Sequence, residues 1–135
     1  MNDEHKDCWP DFFPAELELP PEDAIDAGGI VFRLVREIPP TEACFLATHQ
    51  EQPRRHEVCD TLEKKQAVYG TSVWSNKELL IEAMASLPHG LRQRKVASGT
   101  VNASMGKMRQ ILEPGHLTLW LRKNSNIHLN FSEVK

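Results

Sequence analysis

The stretch VYGTSVWSNKELLIEAMASLPHG, residues 68–90, decides the fold class because its hydrophobic period changes in mid-run. Residues 71–74 are rich in β-branched and aromatic side chains, the composition of a strand. From Asn76 the apolar positions Leu79, Leu80, Ala83, Met84 and Leu87 recur at three- and four-residue spacing, which places them on one face of a helix. Ser75 with Glu78 three positions on reads as a capping box, and Pro88 with Gly90 stops the pattern. The spacing therefore predicts a helix over 76–87, capped by Ser75, directly after a short strand.

Outward from this unit, GIVFRLV (29–35) reads as a buried strand bounded by Gly29 and Pro39-Pro40. Thr41 is placed to cap a short helix over 42–50, with Ala43, Leu46 and Ala47 inward and Glu42 at the positive end of the helix dipole. Residues 51–58 form a basic loop, and Asp60 is placed to cap a second short helix reaching Ala67. Beyond residue 90, the runs RKVASGTVN, MRQIL, HLTLWL and IHLNF are separated by Gly106, Pro114-Gly115 and Asn124-Ser125-Asn126, which predicts three or four strands joined by turns. Strand, helices, strand, helix and then several strands argues for an α+β domain with a mostly antiparallel sheet, two or three helices and an extended N-terminal arm.

The charge is divided along the chain. Residues 1–28 carry nine carboxylates against one lysine, and residues 29–135 carry fifteen Lys and Arg against ten carboxylates. The total of −3 hides an acidic arm on a basic body, so the organisation expected is an arm over 1–28 and one domain over 29–135. The arm's prolines exclude a long helix before residue 20. Trp9, Phe12, Phe13, Leu17 and Leu19 are interleaved with acids, the pattern of a segment that folds onto a groove, either on its own body or on a partner protein.

Composition bounds the function classes. At 40% hydrophobic and 26% charged over the whole sequence, the chain has enough apolar material for one core. No apolar run approaches the roughly 18 residues of a membrane span, and the acidic N-terminus is unlike a secretory signal, so a cytoplasmic protein without a membrane partner is expected. Cys8, Cys44 and Cys59 are odd in number and lack a C-x-x-C, which suits reduced thiols. Cys44, His49, His56 and Cys59 have zinc-competent side chains, but Cys44 and His49 would point about 140° apart on one helix, so no metal is expected.

Candidate chemistry is sparse. Arg33 lies mid-strand, where a guanidinium either faces away from the core or is buried with a partner. His116-Leu117-Thr118 matches half of the H-x-T pattern of two-histidine phosphoesterases, without the second tract. Ser72 lacks the G-x-S-x-G elbow of a nucleophilic serine, and glycine-rich phosphate loops are absent. Arg54, Arg55, Arg92, Arg94 and Lys95 could bind nucleic acid if they converge, although the acidic arm would compete for them.

Two resemblances stand on these residues. FRLVR with PPTE, followed by the G-x-S-V strand and its helix, resembles a group of small uncharacterised bacterial and phage proteins over residues 30–120. Arg33 on the first core strand, followed by Thr71-Ser72 on a later one, resembles ADP-ribosyltransferase folds. That resemblance implies NAD-dependent chemistry with Arg33 and Ser72 at the site. It also implies an acidic or equivalent residue on a later strand, for which Glu113 is the candidate, though the usual E-x-E is missing. With no complete catalytic set and no cofactor implied by the residues themselves, the expected function is protein binding, as an accessory, inhibitory or antitoxin-like component of a prokaryotic system, through the arm. A small ADP-ribosyltransferase-like enzyme is the alternative, and a nucleic-acid binder the third.

Overall fold

Strand β2 (Gly29–Val35) alternates as its sequence demands, with Val31, Arg33 and Val35 buried and the intervening residues more open. It belongs to a seven-stranded sheet in a computed structural model that describes residues 9–85, 94–110 and 114–134. The other strands are β1 (Ile25–Asp26), β3 (Thr71–Trp74), β4 (Lys95–Val101), β5 (Gly106–Gln110), β6 (His116–Leu121) and β7 (Phe131–Glu133). Their order is β1-β5-β6-β3-β2-β4-β7, and every pairing is antiparallel. With the helices α1 (Thr48–Glu51), α2 (Leu62–Ala67) and α3 (Lys77–Met84), this is the α+β architecture expected from the sequence. No helix among the described residues is long and apolar enough to cross a membrane.

The sheet is nearly two sheets. β2 pairs with β4 over seven register positions, and β3 pairs with β6 over four, but β2 and β3 share only Phe32 opposite Trp74. Beyond that pair the two strands part, leaving a wedge. The core collects beneath it from both wings, with Val31, Val35, Ala97 and Val101 from one, Val73 and Leu119 from the other, and Phe45 and Phe131 packed edge to face at 4.8 Å.

Several local expectations change in the fold. The helix expected over 42–50 is divided into a 3₁₀ turn at Glu42–Phe45 and α1, with Leu46 and Ala47 extended between them. This break lets the backbone of residues 48 and 49 donate to the carbonyls of Gly70 and Val68, and Phe45 O accept from Thr71 Oγ1. A continuous helix would spend those groups internally. Thr61, not Asp60, caps α2, its hydroxyl accepting from the Lys64 amide, while Asp60 pairs with Lys64 Nζ at 3.1 Å. Residues 127–130 form a 3₁₀ turn before β7.

The cap of α3 is Asn76, one residue later than expected. Its Oδ1 accepts from Leu79 N at 2.9 Å, while Ser75 is drawn to the chain before β6 through its amide and hydroxyl, both directed at Gly115 O. Asn76→Ala should therefore cost about 1 kcal/mol in chemical denaturation, and Ser75→Ala clearly less. Equal losses from the two would put the cap back on Ser75. Of the apolar helix face, Leu80 is buried, Leu79, Ala83 and Met84 are half-buried, and Leu87 lies outside the described residues.

The described part of the arm is attached to the body. β1 adds to the edge of the sheet beside β5, so the first strand begins before residue 28. Gln66 Nε2 donates to Glu18 O, Arg109 Nη1 meets Asp23 at 2.7 Å, and Lys107 meets Asp26 at 3.5 Å. Further out, Lys123 Nζ lies 2.9 Å from Asp11, and the Arg122 guanidinium lies 4.4 Å from the Trp9 ring centre. The acidic segment thus meets basic residues of its own chain.

Candidate functional site

The wedge between β2 and β3 is filled by Arg33. Its Nη1 donates to Ser72 O of β3 at 2.6 Å and its Nε to Cys44 O of the 3₁₀ turn at 2.8 Å, so the guanidinium ties β2 to both. Nη2 lies 3.6 Å from Glu51, which also approaches Arg36 at 3.8 Å and Arg94 at 4.0 Å. Burial pushes the Arg33 pKa down from its usual value and Arg94 adds to that, while Glu51 pulls it up. Of the two positions open to it in the sequence, Arg33 takes the buried one with partners.

On the other side of Ser72, β3 meets β6. Ser72 is the register partner of Thr118, and Trp74 that of His116, so all four residues lie on one face of the pair. Diagonally across it, Ser72 Oγ and His116 Nε2 are 2.6 Å apart. The imidazole also stacks on Trp74 with ring centres 4.7 Å apart, which restricts its orientation. Ser72, His116 and Thr118 open into a cavity of about 220 Å³ with Arg55, Lys64 and Cys59 on its walls. A hydroxyl hydrogen-bonded to an imidazole, with two cations nearby, can hold an anion and move a proton between oxygen and nitrogen. The volume is below the roughly 300 Å³ of a typical ligand pocket, which leaves room for only a fragment of a drug-sized molecule.

The sequence-predicted residues are partly brought together. Arg33 and Ser72 are joined through the Ser72 carbonyl. Glu113 and Arg92 lie outside the described residues. Arg55 lines the cavity, Arg54 is paired with Glu57 at 3.1 Å, Arg94 is directed at Glu51, and Lys95 is exposed at the start of β4. Trp9 stacks with Phe13 at 6.1 Å, Phe12 meets Phe13 edge to face at 5.3 Å, and Leu17 and Leu19 are half-buried.

No three His, Cys, Asp or Glu side chains among the described residues converge as a metal site. His49 and His56 do approach, at 6.2 Å between ring centres, while Cys44 is buried. Burial raises the Cys44 thiol pKa, but the hydrogen bond from the Thr41 amide and the contact with its hydroxyl lead the opposing effects, and the balance lies below the usual value.

His116 is the site residue that sequence reasoning assigned to no site, because its H-x-T half-pattern lacks a second tract. The H-x-T spacing correctly puts His116 and Thr118 on one strand face. Their partner is a serine on β3 rather than a second H-x-T tract. No family model matches the chain, and no curated protein or solved structure matches it.

Proposed function

We propose that the chain is a small enzyme of ADP-ribosyltransferase-like plan that uses NAD at the Ser72–His116 cavity. The observation that carries this reading is the 2.6 Å contact between Ser72 Oγ and His116 Nε2 beside the cations of Arg55 and Lys64. Arg33 reaches only the backbone carbonyl of Ser72 and does not line this cavity, so the reading assigns it a positioning role beneath β3 and no contact with NAD. His116 occupies the later-strand place beside Ser72 for which the resemblance implies an acidic or equivalent group.

An imidazole there can take a proton but offers no fixed negative charge, so the role assigned to His116 is general base. In the proposed transfer the bond from ribose C1′ to the nicotinamide nitrogen breaks and a bond from C1′ to the acceptor nucleophile forms. His116 takes the acceptor's proton, and nicotinamide leaves as a neutral molecule. Arg55 and Lys64 supply positive charge for the pyrophosphate. Chromatography of full-length protein incubated with NAD should reveal nicotinamide release, which Ser72→Ala and His116→Ala abolish. Absence of both release and calorimetric NAD binding would sink the proposal.

A second reading, protein binding as an accessory, inhibitory or antitoxin-like component, is favoured by the manner in which the arm is held. Asp11 is 93% exposed in its pair with Lys123, and exposed ion pairs contribute only about 0–1 kcal/mol. Residues 9–13 can therefore exchange their own groove for another. Affinity pull-down from the native host, comparing the wild type with Trp9, Phe12 and Phe13 all replaced by alanine, should lose a specific partner in the triple variant. An unchanged set of captured proteins would end this reading. Arg54 and Arg94 are engaged by Glu57 and Glu51, which gives nucleic-acid binding no comparable support.

A further inference from the structure

A second cavity, of about 520 Å³, lies across a thin wall from the first. The wall is made by residues 47–48 and 68–72. Ala47, Tyr69 and Thr71 line the larger space, whereas Thr48, Val68 and Ser72 line the smaller. Thr71 and Ser72 point to opposite sides because they are consecutive in a strand. The larger cavity has the usual size of a small-molecule pocket and does not contain the Ser72–His116 pair.

Its lining combines three features. Phe12, Phe45 and Tyr69 supply aromatic surface, and Gln50, Asn124 and Asn126 supply amides that both donate and accept. The third feature is the adjacent pair of cations, Arg122 and Lys123. These two are engaged by the arm in a specific manner, Arg122 by the face of Trp9 and Lys123 by the carboxylate of Asp11. An aromatic ring and an anion, held close together on one segment, already meet the two cations on the cavity rim. An aromatic ring joined to a phosphate carries both kinds of group in one molecule: its phosphate can replace the carboxylate on Lys123, and its ring can stack on the aromatic lining.

We propose that this cavity is a binding site for a nucleoside monophosphate, with the base among Phe12, Phe45 and Tyr69 and the phosphate on Lys123 and Arg122. The amides of Gln50, Asn124 and Asn126 meet the base edge, and Glu42, also on the wall, accepts from a base amino group. The phosphate takes the place of the Asp11 carboxylate on Lys123. Because Asp11 is almost fully exposed in that pair, the exchange removes little that is buried.

Titration calorimetry on the full-length protein tests the site with AMP, adenosine and inorganic phosphate as probes. AMP should bind saturably at one site, with adenosine and phosphate each about tenfold weaker or more, since each retains only half of the contacts. Lys123→Gln, a surface change that spares the core, should weaken AMP about tenfold, and Phe12→Ala should weaken it by a similar factor. Ser72→Ala should leave AMP affinity within about twofold, which separates this site from the one proposed for NAD. The proposal is overturned if AMP gives no saturable heat, if phosphate alone binds as well as AMP, if Lys123→Gln leaves the affinity unchanged, or if Ser72→Ala abolishes binding.

Discussion

Replacing Arg33 by alanine should lower the stability of the folded protein by about 3–5 kcal/mol, the range seen when one member of a buried charged network is removed. The side chain is 6% exposed as a residue, and three groups depend on it, the carbonyls of Cys44 and Ser72 and the carboxylate of Glu51. Each buried carbonyl left unpaired costs about 1–3 kcal/mol. Glu51 keeps Arg36 and Arg94 nearby, which limits the electrostatic part of the loss. The consequence also has a location, because β2 and β3 are ladder-paired at one position only and Arg33 links β2 to Ser72 O beyond it. Arg33→Lys should recover little, since one ammonium lacks the planar fork that serves two separated carbonyls and a carboxylate. Urea unfolding followed by far-UV circular dichroism provides the measurement. A loss below about 1 kcal/mol for Arg33→Ala would show that the wedge is held by the surrounding core alone.

Trp120→Ala should be comparably severe, at about 3–5 kcal/mol. Trp120 is fully buried, its Nε1 donates to Gln66 O at 3.0 Å, and the Arg109 guanidinium lies 5.6 Å from its ring centre. Gln66 in turn donates to Glu18 O, so the indole supports α2, which itself holds part of the arm. Trp120→Phe separates packing from hydrogen bonding. It retains most of the apolar burial and should cost about 1–3 kcal/mol, through the lost ring volume and the lost indole hydrogen bond, while Gln66 O still accepts from Tyr69 N at 3.3 Å. Equal losses for the two variants would mean that the hydrogen bond, and not the buried area, dominates at this position. Far-UV circular dichroism is the appropriate probe, because the substitution removes one of the three tryptophans that report by fluorescence.

The elements that were legible in the sequence are those with a strong local pattern. Residues 29–35 and 71–74 are strands, 77–84 is a helix, and the glycine and asparagine turns separate β4, β5 and β6 as expected. Gly106 shows why such punctuation is reliable. At the first position of β5, its φ of +154° and the approach of the Trp120 carbonyl from β6 leave no room for a Cβ, so the residue type and the strand pairing require one another. Short polar helices were less legible. Adjacent side chains such as Ser75 and Asn76, or Asp60 and Thr61, are all competent caps, and tertiary demands on one of them decide which is used.

The sequence by itself determined the α+β class, the order of the main elements and the separation of an acidic segment from a basic body, since hydrophobic period, turn residues and charge are properties of neighbours in the chain. Only the tertiary structure decided the rest. Ser72 and His116 are 44 residues apart, and Arg33 and Ser72 are 39 apart, so their contacts exist only once β3 is placed between β2 and β6. Likewise, residues 9–26 meet the body because Lys107, Arg109, Arg122 and Lys123 project from strands and a turn that are assembled far along the chain. Strand order and register set which distant side chains share a face, and a one-residue shift of β6 would turn His116 away from Ser72.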